Sequence, residues 1–284
     1  MKKLKVLDLF SGIGGFSLGL ERTGGFETVA FCEIEEFPRR VLAKHWPKVK
    51  QYEDVRNLTA DVLRSDGIAV DVICGGFPCQ DISTAGRQEG IGDGTRSGLW
   101  SEITRLVGEV RPKFAIVENV TALLSGPSSR RGGWFGRVLG DLASIGYDAE
   151  WQCIPASAVG AYHRRDRVWI VAYPNSLWEL QQERCEQNEW RWVGDSRQNV
   201  SDSSRIGSQG QGRAVKQVHP APSINWEINR AFNDSGWASE PDVGRMANGV
   251  PNGSHRIKGL GNAVVPKIPE LIGNAILKSL KEAA

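Results

Sequence analysis

Asp8-Leu9-Phe10-Ser11-Gly12-Ile13-Gly14-Gly15-Phe16 is the stretch that decides how the chain reads. An apolar run, Val6–Phe10, ends in three closely spaced glycines and passes into a helical pattern. Glycines let the backbone approach a nucleotide-like ligand closely, and the N–H groups opening the next helix point at it. The spacing is not GxGxxG, which weighs against a dinucleotide. Working outward, short apolar runs at Thr28–Ile34, Val70–Gly75, Phe114–Val117 and Val168–Ala172 read as buried strands. Helical spacing fills the intervals: Trp134, Phe135, Val138, Leu139, Leu142 and Ile145 form one apolar face, stopped at Gly146. Strand–helix alternation over residues 1–174 predicts a doubly wound, mainly parallel α/β sheet.

The composition changes after Tyr173-Pro174. From Asn175 to Asp242 the chain is polar and rich in Gln, Ser and Gly, yet it carries Trp178, Trp190, Trp192, Trp226 and Trp237. That aromatic content favours a small, loop-rich domain over a disordered linker. From Val243 the α/β character returns and closes in an amphipathic helix, Ile268–Leu280, so the expected segments are 1–174, 175–242 and 243–284. With 40% hydrophobic and 24% charged residues the composition is that of a globular protein, and a net charge of +2 is too small to argue for nucleic acid alone. No apolar stretch approaches the roughly 18 residues of a membrane span. Met1-Lys2-Lys3-Leu4-Lys5 runs straight into a strand rather than a signal peptide. Five cysteines without a CxxC pair, beside four histidines, predict a reducing, cytosolic setting and no structural zinc.

Chemistry-bearing residues gather where strands end. Glu33 closes the second strand, about twenty residues beyond the glycine turn, where an acid commonly takes ribose hydroxyls. Asp54, after a short third strand, could receive an adenine amine. Gly75-Gly76-Phe77-Pro78-Cys79-Gln80 leaves the fourth strand at the edge where doubly wound sheets place their sites. Cys74, on the strand itself, reads as a buried structural thiol, whereas Cys79 is presented by a Gly/Pro loop. As a nucleophile it needs a nearby cation or helix terminus to form its thiolate. Glu118, in Val117-Glu118-Asn119-Val120, reaches the same edge and suits a general acid if burial raises its pKa; taken alone, a solvated strand-end acid is the commoner reading. In His163-Arg164-Arg165-Asp166-Arg167, residues 163, 165 and 167 share a face if the next strand begins early. Arginines there can hold phosphates or a carbonyl oxygen, while a solvated charge run is an equally open reading. Gly259-Leu260-Gly261-Asn262-Ala263-Val264-Val265-Pro266 is a further loop leading into a helix.

Taken together and in this order, these motifs resemble the bacterial and phage DNA (cytosine-5)-methyltransferase family over residues 4–174 and 243–280. The resemblance implies a Rossmann-like S-adenosylmethionine-dependent methyltransferase sheet, with a small target-recognition domain in the insert. It implies methyl transfer from S-adenosylmethionine to C5 of a cytosine flipped out of duplex DNA, with S-adenosylhomocysteine as product. Cys79 then attacks C6, Glu118 relieves charge at N3, Arg165 lies near the cytosine O2 and the phosphates, and Arg167 is its companion. His163 stands where many members carry glutamine, which puts that residue's hydrogen bond in doubt and leaves the reaction intact. Implied cofactor contacts are Phe10, Gly12, Gly14 and Phe16, Glu33 on the ribose, and Ile34 and Asp54 near the adenine. Pro78 and Leu99 border the methyl donor, and Asn262 and Ala263 belong to the closing loop, where the family often has serine at the second position. Flipping the base costs a few kcal/mol. The glycine-rich segment Gln80–Gly98 reads as a mobile loop over the DNA, with Gln80, Ser83, Arg87 and His163 as candidate DNA contacts. The expected partner is double-stranded DNA, with no metal and no membrane, and the expected form is a monomer in the bacterial cytoplasm at the nucleoid. The insert carries seven Lys/Arg against ten Asp/Glu, so phosphate contacts fall to local patches, and its target sequence is not legible. Two rivals stay open: a transfer-RNA cytosine methyltransferase, and a silent DNA-binding relative, against which intact Cys79, Glu118 and Arg165 argue. A nicotinamide-dependent dehydrogenase fails on the absent GxGxxG and leaves Phe77-Pro78-Cys79-Gln80 unexplained.

Overall fold

Strands buried on both faces of a sheet read as near-continuous apolar runs, and each of the five runs named above falls on a strand. In the computed structural model, which describes residues 2–78, 99–126, 133–176, 259 and 261–282, the strands are β1 (Leu4–Leu9), β2 (Phe26–Cys32), β3 (Lys50–Tyr52), β4 (Val72–Gly76), β5 (Phe114–Val120), β6 (Tyr147–Pro155) and β7 (Asp166–Pro174). They make one sheet in the order β3-β2-β1-β4-β5-β7-β6. The first five run parallel, while β7 runs antiparallel to both β5 and β6. Around the sheet lie α1 (Gly15–Arg22), α2 (Glu36–His45), α3 (Ala60–Ser65), α4 (Trp100–Val110), α5 (Gly133–Ser144) and α6 (Lys267–Glu282). The parallel α/β sheet expected from the sequence is thus present, extended by an antiparallel pair.

Side chains alternate across a strand, and the alternation sorts the core into two layers. Leu7 and Leu9 of β1, Ile73 of β4 and Val117 of β5 pack with Ile103, Leu106 and Val107 of α4 and with Val138 and Leu142 of α5. Val6, Val72 and Ile116, on the opposite face, pack with Phe16 and Leu20 of α1 and with Ile268, Ile272 and Ile276 of α6. The apolar face read over 134–145 is therefore real: α5 buries Val138 and Leu142, and Gly146, at φ +79°, takes the left-handed position that ends it.

Close packing of α1 beneath the C-terminal segment accounts for its small residues. A Cβ on Gly15 would lie 2.5 Å from the Val264 carbonyl oxygen, and one on Gly19 would lie 2.1 Å from that of Pro266. Backbone atoms cannot step aside cheaply, so Gly19→Ala should destabilise by about 1–3 kcal/mol through overpacking. A Cβ on Gly140 of α5 meets nothing within 4 Å, so Gly140→Ala should instead gain about 0.5–1 kcal/mol from helix propensity. Urea unfolding of the two variants beside the wild type checks both signs.

Candidate functional site

The strand order reverses between β1 and β4, and ligands of doubly wound sheets bind in the crevice outside the carboxyl ends at such a point. A cleft of about 270 Å³ lies there, bordered by the ends of β1, β2, β4 and β5. Its floor is the turn after β1, which reaches left-handed φ at Phe10 (+51°), Gly12 (+52°) and Gly14 (+85°). At Gly12 an added Cβ meets nothing within 4 Å, so that residue faces open space, and it borders the cleft. At Gly14 it would lie 2.7 Å from the Trp46 ring, so that glycine serves packing. Glu33, 8% exposed, accepts from the Gly12 N–H at 2.7 Å and from the Glu35 N–H at 2.8 Å. The carboxylate thus fastens the turn to the end of β2 and keeps further lone pairs toward the cleft. Ile34 is 62% exposed and borders both this cleft and an adjoining hollow of about 390 Å³. In the hollow, Asp54 receives the Arg56 guanidinium at 2.9 and 2.7 Å. That pairing holds its carboxyl below the usual carboxylate range.

On the other wall Glu118 is 12% exposed and pairs with Arg167, Nε to Oε1 at 2.9 Å. Burial pushes the Glu118 carboxyl above its ordinary value, and the charges of Arg167 and then Arg165 restrain the rise. Gly76 lies opposite Glu118 in the ladder; a Cβ there would sit 2.8 Å from Oε2, so only glycine leaves the carboxylate its place. Arg165 donates from Nη1 to the Gly261 carbonyl at 2.9 Å, joining the late loop to this edge. One expectation is corrected here. The strand begins at Asp166, two residues ahead of the expected Val168 but short of 163 and 165, because Arg165 adopts φ +34° and breaks the extended chain before the ladder starts. Residues 163, 165 and 167 therefore do not share one strand face: His163 is exposed in the preceding turn, and Arg167 alone sits in β7.

Sequence reasoning passed over Asn119, which is 1% exposed. Its Nδ2 donates to the Phe77 carbonyl at 3.1 Å, and its Oδ1 accepts from the Val120 N–H at 2.8 Å. It thereby clamps the Phe77-Pro78 turn to β5. The signal was an amide at the end of an apolar strand, a group that must find partners once buried.

Of the expected cofactor residues, Phe10, Gly12, Glu33, Ile34, Pro78 and Asn262 border the cleft, and Glu118, Arg165 and Arg167 join them. Asp54 borders the adjoining hollow. The structure does not bring the Phe16 ring there; it lies in the core, 5.4 Å from the Trp169 ring. Leu99 opens α4 and packs on the core, and Ala263 is half-buried in the stretch leading to α6. Cys79, Gln80, Ser83 and Arg87, the rest of the loop to residue 98 and nearly all of the insert lie outside the described residues. Among the described cysteines, burial pushes the Cys32 thiol up to about 12 and holds Cys74 well above the usual thiol range. Cys74 is thus the buried strand thiol it was read to be.

The family model for C-5 cytosine-specific DNA methylases matches residues 4–236. The chain is 37% identical over 185 residues to the type II methyltransferase M.Sau3AI of Staphylococcus aureus, covering 62% of this chain and 45% of the relative. It is 31% identical over 237 residues to the type II methyltransferase M.NgoBI of Neisseria gonorrhoeae, covering 81% of this chain and 71% of the relative. Across several curated relatives the chain spans less than half of the relative's own length. Among solved structures it is similar to one described as a DNA modification methyltransferase encoded within an E. coli prophage, with TM-score 0.52, 30% identity, and coverage of 62% of this chain and 48% of that one.

Asn119→Ala strips a buried carbonyl and a partly buried N–H of their partner, and should cost about 1–3 kcal/mol of stability in urea unfolding.

Proposed function

This chain belongs to the C-5 cytosine-specific DNA methylase family, and on that premise we propose that it transfers a methyl group from S-adenosylmethionine to C5 of a cytosine within a short duplex DNA sequence. The observation that carries the reading is the Glu118–Arg167 pair, 2.9 Å apart, bordering the same cleft as the open glycine turn. Residues 1–174 and 243–284 form the catalytic unit in this reading, and 175–242 read the target. The protein works as a monomer on nucleoid DNA in the bacterial cytoplasm.

The residues present fit the cofactor: open space at Gly12, a carboxylate pinned by two backbone donors at Glu33, and an exposed apolar side chain at Ile34. Glu33 takes the ribose hydroxyls, Ile34 covers the adenine, and Asp54 lies toward its amine. Phe10, Gly12 and Gly14 with the Phe16 backbone form the turn beneath the cofactor, Pro78 and Leu99 border its reactive end, and Asn262 and Ala263 close over it. S-adenosylmethionine supplies an electrophilic methyl group when bound.

The chain's own residues prepare the base. The Cys79 thiolate forms a bond to C6, and the displaced electron pair moves through the ring toward N3, where Glu118 provides the proton. C5 thereby becomes nucleophilic. Once C5 has used that electron pair to take the methyl group, loss of the C5 proton to a base re-forms the C5–C6 double bond and breaks the S–C6 bond, freeing the Cys79 thiolate, and N3 returns its proton to Glu118. Arg165, with Arg167 beside it, steadies the cytosine O2 and the nearby phosphates, and Gln80, Ser83, Arg87 and His163 hold the DNA around the flipped nucleotide. Glu118 works in its protonated form, so the rate falls as pH climbs through its pKa. Burial moves that limb up from the ordinary carboxylate range.

Purified protein and its Cys79→Ala variant, each incubated with S-adenosylmethionine and mixed-sequence duplex DNA, test the reading by conversion sequencing for 5-methylcytosine. Methylation at one short motif, lost in the variant, is the expected result; transfer to RNA alone, or methylation that survives Cys79→Ala, overturns it. Glu118→Gln should lower kcat by about 10²–10⁴-fold, the usual worth of a general acid. Arg167→Ala removes the nearer cation, so the alkaline limb of its residual kcat–pH profile should move to higher pH.

A further inference from the structure

Asp8 is an acid in an apolar layer. It is fully buried, lies between the layer's Val6 and the turn, and faces Cys74 directly across the β1–β4 ladder. Its Oδ2 accepts from the Ser17 Oγ at 2.7 Å and from the Ser17 N–H at 3.3 Å. Its Oδ1 is buried without a hydrogen bond of ordinary geometry, and the Cys74 thiol opposite is a near group that favours its charge.

The position of Ser17 gives this contact its meaning. Helix α1 starts at Gly15 with Gly14 as its N-cap, and no side chain caps it there. An N-cap side chain ordinarily accepts from the amide two or three residues on, which in α1 is that of Ser17. Glycine cannot do so, and a carboxylate from β1 does it instead. The contact closes a loop of backbone from Leu9 to Phe16, and that loop is the turn with left-handed φ at Phe10, Gly12 and Gly14. A backbone with a non-glycine residue at positive φ keeps its shape only where its surroundings over-determine it.

An apolar side chain at position 8 would suit the layer better, because burying a carboxyl whose second oxygen has at best a weak thiol donor costs stability. Burial pushes the Asp8 pKa up to about 7, against the pull of its Ser17 bonds. What an acid adds over a valine or leucine is direction: it sets the rotation and height of α1 over the end of β1.

We propose that Asp8 is a positioning residue for the cofactor turn, holding helix α1 from β1 through Ser17 so that the Phe10–Gly14 backbone keeps its binding shape. This rests on the reading that the turn holds S-adenosylmethionine.

The test uses the full chain with S-adenosylhomocysteine as probe, its affinity measured by calorimetry and that for duplex DNA by fluorescence anisotropy. Asp8→Leu keeps the apolar volume and should weaken the probe by about tenfold or more, the worth of a hydrogen bond to a charged group. Its DNA affinity should stay within about twofold, inside the spread of such measurements. Asp8→Asn still accepts through its amide oxygen and should restore probe affinity to within about threefold of wild type. Should Asp8→Leu fail to fold, Ser17→Ala, which removes only the hydroxyl donor, should weaken the probe by about threefold to tenfold. A folded Asp8→Leu or Ser17→Ala that binds the probe like wild type overturns the proposal, as does an Asp8→Asn as weak as Asp8→Leu. Wild-type protein that does not bind the probe overturns the cofactor reading and takes this proposal with it.

Discussion

Across the β5–β7 ladder Val120 lies opposite Arg167 and Glu118 opposite Trp169, and the carboxyl edge depends on that antiparallel register. A parallel strand delivers its last residues to the functional edge. β7 is reversed, so it delivers its first ones, and the arginine reaches the carboxylate within the sheet rather than from a loop above it. The arrangement is mutually conditional. Breaking a buried pair by deleting one partner costs about 3–5 kcal/mol, because the other charge is left in low dielectric. Glu118 answers by moving toward its neutral form, which is the form an acid uses. The same geometry thus orients the carboxyl and limits how far its pKa rises.

Much of this was legible because central parallel strands advertise themselves. Phe114–Val117 and Val168–Ala172 are apolar on both faces, Val6–Phe10 is so apart from Asp8, and burial on both faces is what they have. β6 escaped notice for the complementary reason. As the outermost strand it pairs only with β7, carries Asp148, Glu150 and Gln152, and leaves Trp151 44% exposed. A half-solvated edge needs no apolar run. In the site, the strand-end positions of Glu33 and Glu118 followed from the strands themselves. The left-handed turn at Arg165 did not, since no residue rule places an arginine at positive φ. The Asn119 clamp was equally hidden, because the Phe77 carbonyl it holds comes from a segment far away in sequence.

The glycine turn illustrates how one motif answers several demands. Gly12 faces open space, Gly14 faces Trp46, and Gly15 and Gly19 face the carbonyls of Val264 and Pro266. Only the first leaves room for a ligand. Trp46 is itself fixed, its indole N–H donating to Glu21 of α1 at 2.9 Å, while the same carboxylate accepts from Thr28 of β2 at 3.1 Å. The turn is braced from helix, sheet and C-terminal segment at once.

The place of α6 has a consequence for how the protein comes to exist. Ile272 and Ile276 cover Leu20 and Phe26 in one layer, and Gly273 fits between Leu20, Thr23 and Phe26. Those partners stand roughly 250 residues apart in sequence, so their meeting carries a high contact order and a slow closure. A ribosome exposes α1 long before it has made the helix that covers it. Until α6 has emerged, the nascent chain shows an apolar face on α1 and β2 to the cell, as aggregation-prone intermediates do. The layer beneath the glycine turn is thus closed only when α6 docks on α1.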